Sequence, residues 1–185
     1  AKKQGVKVYH LNLGQPDIKS PTCALEAIKN YSKENISYSH SAGLMELRQG
    51  LVEKYYKNIG IDITVDELIV TVAGSESVNL ALEIACDPGD EVLVLEPFYT
   101  NYNTFAFMNE LTLKAIPTDI RKGFQIPDIE EFEKAITPKT KAILICNPGN
   151  PTRTQYSKES MLALGEIARK HDLFLLSDEV YREFC

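Results

Sequence analysis

An amide, a carboxylate and a phenol stand just beyond two apolar runs of this chain. Asn147-Pro148-Gly149-Asn150-Pro151-Thr152 follows the run from Lys141 to Cys146, and Ser177-Asp178-Glu179-Val180-Tyr181 follows the run from Leu173 to Leu176. Both runs read as buried parallel strands. In open α/β sheets the ligand crevice lies outside the carboxyl ends of the strands, so the two turns are expected to converge on one pocket. Prolines on both sides of Asn150 keep that turn out of any helix and fix the direction of its side-chain amide. Asp178 directly follows Leu-Phe-Leu-Leu-Ser, where a carboxylate is costly unless a cation meets it. The plainer readings of the same residues are an Asx turn at Asn150 and an aspartate capping its own turn at Asp178.

Three further segments carry polar groups at expected turns. Ala73-Gly74-Ser75 lies between a predicted strand and a predicted helix, where small residues let backbone N–H groups close on an anion at the helix N-terminus; Ser75 as a simple N-cap is the alternative. Pro97-Phe98-Tyr99 follows another strand. A flat aromatic at Tyr99 could stack on a heteroaromatic ring or belong to the core, and Tyr102 competes for the stacking role. Nearer the start come Leu13-Gly14-Gln15-Pro16-Asp17 and Tyr38, in a polar loop before an amphipathic stretch. His40, in the same loop, has no partner spacing for metal or triad chemistry.

The elements that must position these groups follow from periodicity. Ser20-Pro21 reads as N-cap and first helical position of a first helix. Leu44, Leu47, Leu51 and Tyr55 form a helical stripe over Ala42 to Asn58, closed by Gly60. Strands are expected at Leu68 to Val72, Glu91 to Leu95, Leu111 to Ile116, Lys141 to Cys146 and Leu173 to Leu176. Helices are expected at Ser75 to Cys86, Tyr99 to Asn109, Asp128 to Ile136 and Ser157 to His171, with Asp128 and Glu131 in a capping-box pattern. Alternating strands and helices with short connections predict an α/β fold: three layers, α/β/α, around a mainly parallel sheet.

Bulk properties narrow the partners. The 185 residues are 44% hydrophobic and 25% charged, with a formal net charge of -6 and no basic block, which argues against nucleic acid and anionic membranes and for a small-molecule partner. No apolar run approaches the roughly 20 residues that span a bilayer. Cys23, Cys86, Cys146 and Cys185 form no CxxC pair and read as buried thiols rather than a disulfide framework or a metal site.

Taken together and in this order, the segments resemble the pyridoxal-phosphate site of the class I and II aminotransferases of fold type I, and the resemblance runs along essentially the whole chain. It implies pyridoxal 5'-phosphate as cofactor, with Asp178 on its ring nitrogen, Asn150 and Tyr181 on its phenolic oxygen, Tyr99 against its ring and Ala73, Gly74 and Ser75 around its phosphate. It implies that Gly14 and Asn150 approach the substrate carboxylate and that Tyr38 reaches the phosphate of the neighbouring subunit of a homodimer. The implied activity is amino-group transfer between an L-amino acid and a 2-oxo acid, in the cytoplasm. A lyase or decarboxylase on the same fold, or a non-catalytic cofactor-binding regulator, would share every motif; a nucleotide-binding Rossmann domain is disfavoured because no GxGxxG turn follows the first strand. The sequence departs from the family at Ala73, at Glu76 and at Arg153, where glycine is usual. The expected division is an N-terminal segment over 1–42 and part of the cofactor-binding large domain over 43–185. The family's cofactor lysine and substrate arginine are expected outside this chain, which reads as a piece of something longer and is expected to be inactive alone.

Overall fold

The computed structural model describes residues 2–9, 18–32 and 34–184. They group into two compact units, Ala1–Ser39 and His40–Cys185. In the first unit, helix α1 spans Thr22–Lys29, with Pro21 as the residue before the first turn. The expected start at Ser20-Pro21 is thus one residue early, because Pro21 (ψ 129) is still extended. The Gly14 segment lies outside the described residues.

The second unit opens with a helical run from Met45 to Ile59 that changes pitch: α2 over Met45–Gly50, a π-helical stretch over Leu51–Tyr56 and a 3₁₀ turn over Lys57–Ile59. The sequence pattern predicts one uniform helix here. The pitch changes at Gly50, whose missing side chain leaves the turn least restrained. Gly60, at φ 76, ends the run in the left-handed region, as the pattern predicts.

Four parallel strands follow, β1 over Glu91–Glu96, β2 over Thr112–Pro117, β3 over Thr140–Cys146 and β4 over Phe174–Asp178, in the spatial order β2-β1-β3-β4. They alternate with α3 (Gly74–Ala85), α4 (Asn101–Met108), α5 (Ile129–Ala135) and α6 (Lys158–His171). Residue parity along the central strands sorts two cores. Val92, Val94, Ala142, Leu144 and Cys146 pack with Leu82 of α3 and Tyr102, Phe105 and Ala106 of α4. Leu93, Leu95, Ile143 and Ile145 pack with Phe132 of α5 and Leu164 and Ile167 of α6. The result is the expected three-layer α/β/α arrangement, and β1 and β3 are buried on both faces as central parallel strands must be.

Several expectations change. Leu68 to Val72 is not a strand: Leu68 is extended, but among the described residues no strand pairs with the segment, and Ile69 and Val72 are exposed. Extended residues without a hydrogen-bonded neighbour have the strand's dihedrals and not its ladder. The segment is instead tied to the loop before α2, through Val70 N–H to the Ala42 carbonyl (3.0 Å), and to α2 itself through Arg48, which is buried and donates to the carbonyl of Leu68 (3.0 Å) and to that of Val65 just upstream. The capping box foreseen at Asp128 does not form, since the Asp128 side chain makes no cap bond; one forms at Thr64 and Glu67. Ser75 is not an N-cap; Ala73 takes that place, and Ser75 lies in the first turn of α3. The thiols are not uniformly buried: Cys23 is exposed, Cys86 half-buried and Cys146 buried, and Cys185 lies outside the described residues. Burial pushes the Cys86 thiol up to about 11, helped by Asp90 and Asp87.

At the amino ends of the strands, the Glu91 carboxylate accepts from Thr137 (2.6 Å) and Thr140 (3.3 Å) and lies 3.4 Å from Lys114. These contacts, the Thr137 bond first, hold the carboxyl below its ordinary value.

Candidate functional site

The strand order places the site. The chain leaves β1 toward β2 on one side and returns through β3 to the other, so connections after β1 and β3 run in opposite directions and leave a crevice between their carboxyl ends. The turn after β1 carries Pro97, Phe98 and Tyr99, and the turn after β3 carries Asn147 to Thr152. Pro97, Phe98, Tyr102, Cys146, Gly149 and Asn150 line one recess there. Beside β3, β4 runs in register with Cys146 opposite Asp178, so Asp178 arrives at the same end of the sheet.

Each side chain is held by identifiable contacts. The Asn147 N–H donates to the Asp178 carbonyl (2.9 Å), joining the ends of β3 and β4. One carboxylate oxygen of Asp178 accepts from the Tyr102 hydroxyl (2.7 Å) and the other from the Val180 N–H (3.2 Å). The Asn150 amide donates to the Tyr181 hydroxyl (3.3 Å) across 31 residues of sequence. The amide, carboxylate and phenol that the sequence singles out therefore belong to one end of the sheet, with Asn150 and Tyr181 in direct contact.

Gly149 makes the Asn150 turn possible. A Cβ at this position would lie 2.6 Å from the Thr152 hydroxyl oxygen, and the turn closes through Gly149 N–H to the Thr154 carbonyl and Arg153 N–H to the Gly149 carbonyl, each 2.8 Å. Arg153 itself has φ 58, the left-handed region. The backbone that a glycine would adopt freely is present here with an arginine side chain on it.

The aromatic pair after β1 divides its roles. Tyr102 is 1% exposed, stacks nearly parallel to Phe98 (6.3 Å, 11°) and meets Tyr99 edge-on (5.6 Å, 89°). Burial, then the bond to Asp178, pushes its phenol far above the usual range, so it stays a donor. Tyr99 is half-buried and is fixed through its hydroxyl by the Asn101 amide (2.7 Å). Between the two candidates for a stacking surface, Tyr99 is the accessible one. Sequence reasoning did not anticipate the Tyr102 to Asp178 bond, because no local pattern connects positions 76 residues apart. Burial also raises the neighbouring Cys146 thiol, ahead of the effect of Asp178.

Ala73, Gly74 and Ser75 form the N-terminal turn of α3. This helix ends just before β1 begins, so its C-terminus lies toward the amino ends of the strands and its N-terminus toward the carboxyl ends. The turn is laced by Thr71, which donates to the Ala73 carbonyl (3.0 Å) and contacts the Ser77 hydroxyl (2.6 Å), and by Glu76, which accepts from the Val72 N–H (2.5 Å). The Gly74 and Ser75 N–H groups precede the first intrahelical donors and point outward from the helix start. Tyr38 belongs to the first unit and is fully exposed there. Gly14 lies outside the described residues. Among the described residues no cluster of three or more histidine, cysteine, aspartate or glutamate side chains could hold a metal, and no helix is long and apolar enough to cross a membrane.

A three-layer α/β/α fold carrying an asparagine turn and an Asp-x-x-Tyr turn at the carboxyl ends of neighbouring strands defines a class, and comparison with known proteins gives it a name. Residues 6–185 match the family model for aminotransferase class I and II, and the chain belongs to that family. It is 37% identical over 181 residues to an aspartate/prephenate aminotransferase of Thermus thermophilus, an alignment covering 97% of this chain and 47% of the relative. Among solved structures, an aspartate aminotransferase of Thermotoga maritima superposes with a TM-score of 0.90 at 34% identity, over 98% of this chain and 48% of that one. An alanine aminotransferase of Pyrococcus furiosus superposes with a TM-score of 0.86 at 36% identity, over 97% and 47%. The chain spans about half the length of the curated relatives it matches.

Proposed function

We propose that this chain is the N-terminal part of a pyridoxal-5'-phosphate-dependent aminotransferase that moves an amino group between an L-amino acid and a 2-oxo acid, working in the cytoplasm as a homodimer. The observation that carries the reading is the Asp178 carboxylate, held at both oxygens at the end of β4, at the carboxyl end of the sheet where Asn150 and Tyr181 meet. The donor set fits the cofactor: an anionic group for a protonated ring nitrogen, an amide and a phenol for a phenolic oxygen, an accessible aromatic ring and a helix start for a phosphate. When bound, pyridoxal 5'-phosphate supplies a conjugated cationic ring that accepts the electron pair released at the substrate's α-carbon.

The chain's own residues do the rest. Asp178 keeps a positive charge on the ring nitrogen by offering it a fixed counter-ion. Asn150 and Tyr181 orient the phenolic oxygen, and Tyr99 provides a flat wall. The first turn of α3, through Ala73, Gly74 and Ser75, binds the phosphate with backbone N–H groups and the positive end of the helix dipole. Gly14 and Asn150 are assigned to the substrate carboxylate, and Tyr38 to the phosphate site of the other subunit. Lys139, Lys141, Lys158 and Lys170 all precede Asp178, whereas the cofactor lysine of the resembled family follows its Asp and Tyr segment, so none of them is assigned to carrying the cofactor.

Asp178→Asn in the full-length protein tests the reading. Transamination is expected to fall by about 10²-fold or more while cofactor affinity changes far less, because the phosphate contacts remain. Turnover near that of the unaltered protein would remove Asp178 from this role. The 185-residue chain alone is expected to bind the cofactor non-covalently and to show no transamination; one stoichiometric lysine adduct after borohydride reduction, together with amino transfer, would overturn the assignment of the lysine.

A further inference from the structure

We propose that Tyr102 is a positioning residue that fixes the Asp178 carboxylate against a ligand's ring nitrogen and at the same time locks the Tyr99 platform, so that one buried side chain sets both walls of the ring site. The inference rests on the cofactor reading given above and assigns a role to a residue outside the proposed binding set.

Three contacts converge on Tyr102. Its hydroxyl donates to one Asp178 oxygen at 2.7 Å, its ring is T-shaped to that of Tyr99 with centroids 5.6 Å apart, and it lies nearly parallel to the ring of Phe98 with centroids 6.3 Å apart. It comes from α4, which follows β1, whereas Asp178 ends β4, and β3 lies between those strands. The side chain therefore spans the middle strand of the site and ties its two flanks together. The backbone supplies the Val180 N–H to the second carboxylate oxygen. With a donor on each oxygen, the carboxylate cannot rotate freely about its Cβ–Cγ bond, and a ring nitrogen meets a counter-ion of fixed direction. A preset charge-assisted contact loses little on ligand binding, whereas a rotating carboxylate must first be ordered.

Phenylalanine at this position keeps the ring contacts and removes only the hydroxyl. The test compares pyridoxal 5'-phosphate with its 1-deaza analogue, in which CH replaces the ring nitrogen, by equilibrium binding to the 185-residue chain. The unaltered chain is expected to prefer the nitrogen-containing ligand by about tenfold, the size of one charge-assisted contact. Tyr102→Phe is expected to reduce that ratio severalfold while leaving the affinity for the deaza analogue within about twofold, since the phosphate turn and Tyr99 still hold it. Phe105→Leu, a packing change in the same helix, serves as the control and is expected to leave the ratio unchanged. The proposal is overturned if Tyr102→Phe keeps the parental ratio, if it weakens both ligands equally, or if Phe105→Leu alters the ratio as much. An unaltered chain with no preference for the ring nitrogen would instead overturn the assignment of Asp178, and this inference with it.

Discussion

At the scale of single residues, Arg153 carries a conflict between sequence and backbone. Its φ of 58 belongs to the region where an L side chain costs about 1 kcal/mol relative to glycine, and its N–H closes the turn that presents Asn150. Arg153→Gly is expected to raise stability by about 1 kcal/mol, read as an upward shift in the denaturation midpoint with an unchanged slope. A loss of stability would show that the arginine side chain makes a favourable contribution exceeding its backbone cost. The same turn shows how far residue types can be read: the prolines flanking Asn150 and the apolar run before Asp178 mark both side chains as fixed and costly. The sequence names Tyr102 only as a rival stacking ring; its positioning role rests on its burial and its bond to Asp178, and neither can be read from its neighbours in sequence.

At the scale of elements, the close approach of the loop before α2 to the segment before α3 depends on Gly43. Its φ is +96, and a Cβ there would lie 2.6 Å from Val70 Cβ and 2.8 Å from Val70 Cγ2. Gly43→Ala is therefore expected to destabilise the fold by about 2–4 kcal/mol, combining backbone strain with overpacking; chemical denaturation measures it, and a cost below the range of ordinary surface changes would refute the contact. The amino end of the sheet makes a separate prediction. Because the Glu91 carboxyl is held below its ordinary value by Thr137 and then Lys114, its contribution is present above the unfolded carboxylate pKa and is lost as pH falls through the lower folded value. Glu91→Gln is expected to cost about 1 kcal/mol at neutral pH, with the difference from the parent vanishing in acid below the carboxylate range. Thermal unfolding of both proteins across that interval reads the effect, and a constant difference would exclude the charged form as its source. The helices and strands after position 90 were legible because period and turn residues agree there. The segment from Leu68 to Val72 has the composition of a strand, yet pairing is decided by a neighbour that local sequence does not name.

At the scale of the whole molecule, β4 pairs with β3 and β2 with β1, so among the described strands each outer strand has one open edge. The proposed homodimer makes a testable statement about Tyr38, which is fully exposed in the first unit. In the full-length protein, Tyr38→Phe subunits mixed with subunits lacking the cofactor lysine are expected to form hybrids whose cofactor affinity depends on which subunit carries which change. Hybrids that behave as a simple average of the parents would remove Tyr38 from the neighbouring site. The sequence by itself determined the three-layer α/β class, four of the five expected strands and the positions of Asn150, Asp178 and Tyr181, because strand and helix periods, proline-bounded turns and a charge after an apolar run are local signals. The tertiary structure alone decided the strand order β2-β1-β3-β4 that opens the crevice, the contact between Asn150 and Tyr181, the choice of Tyr99 over Tyr102 as the accessible ring, and the bond from Tyr102 to Asp178. The two side-chain bonds join residues 31 and 76 positions apart, and all of these features are set only when helices close on both faces of the one sheet and bury one tyrosine while leaving the other within reach of solvent.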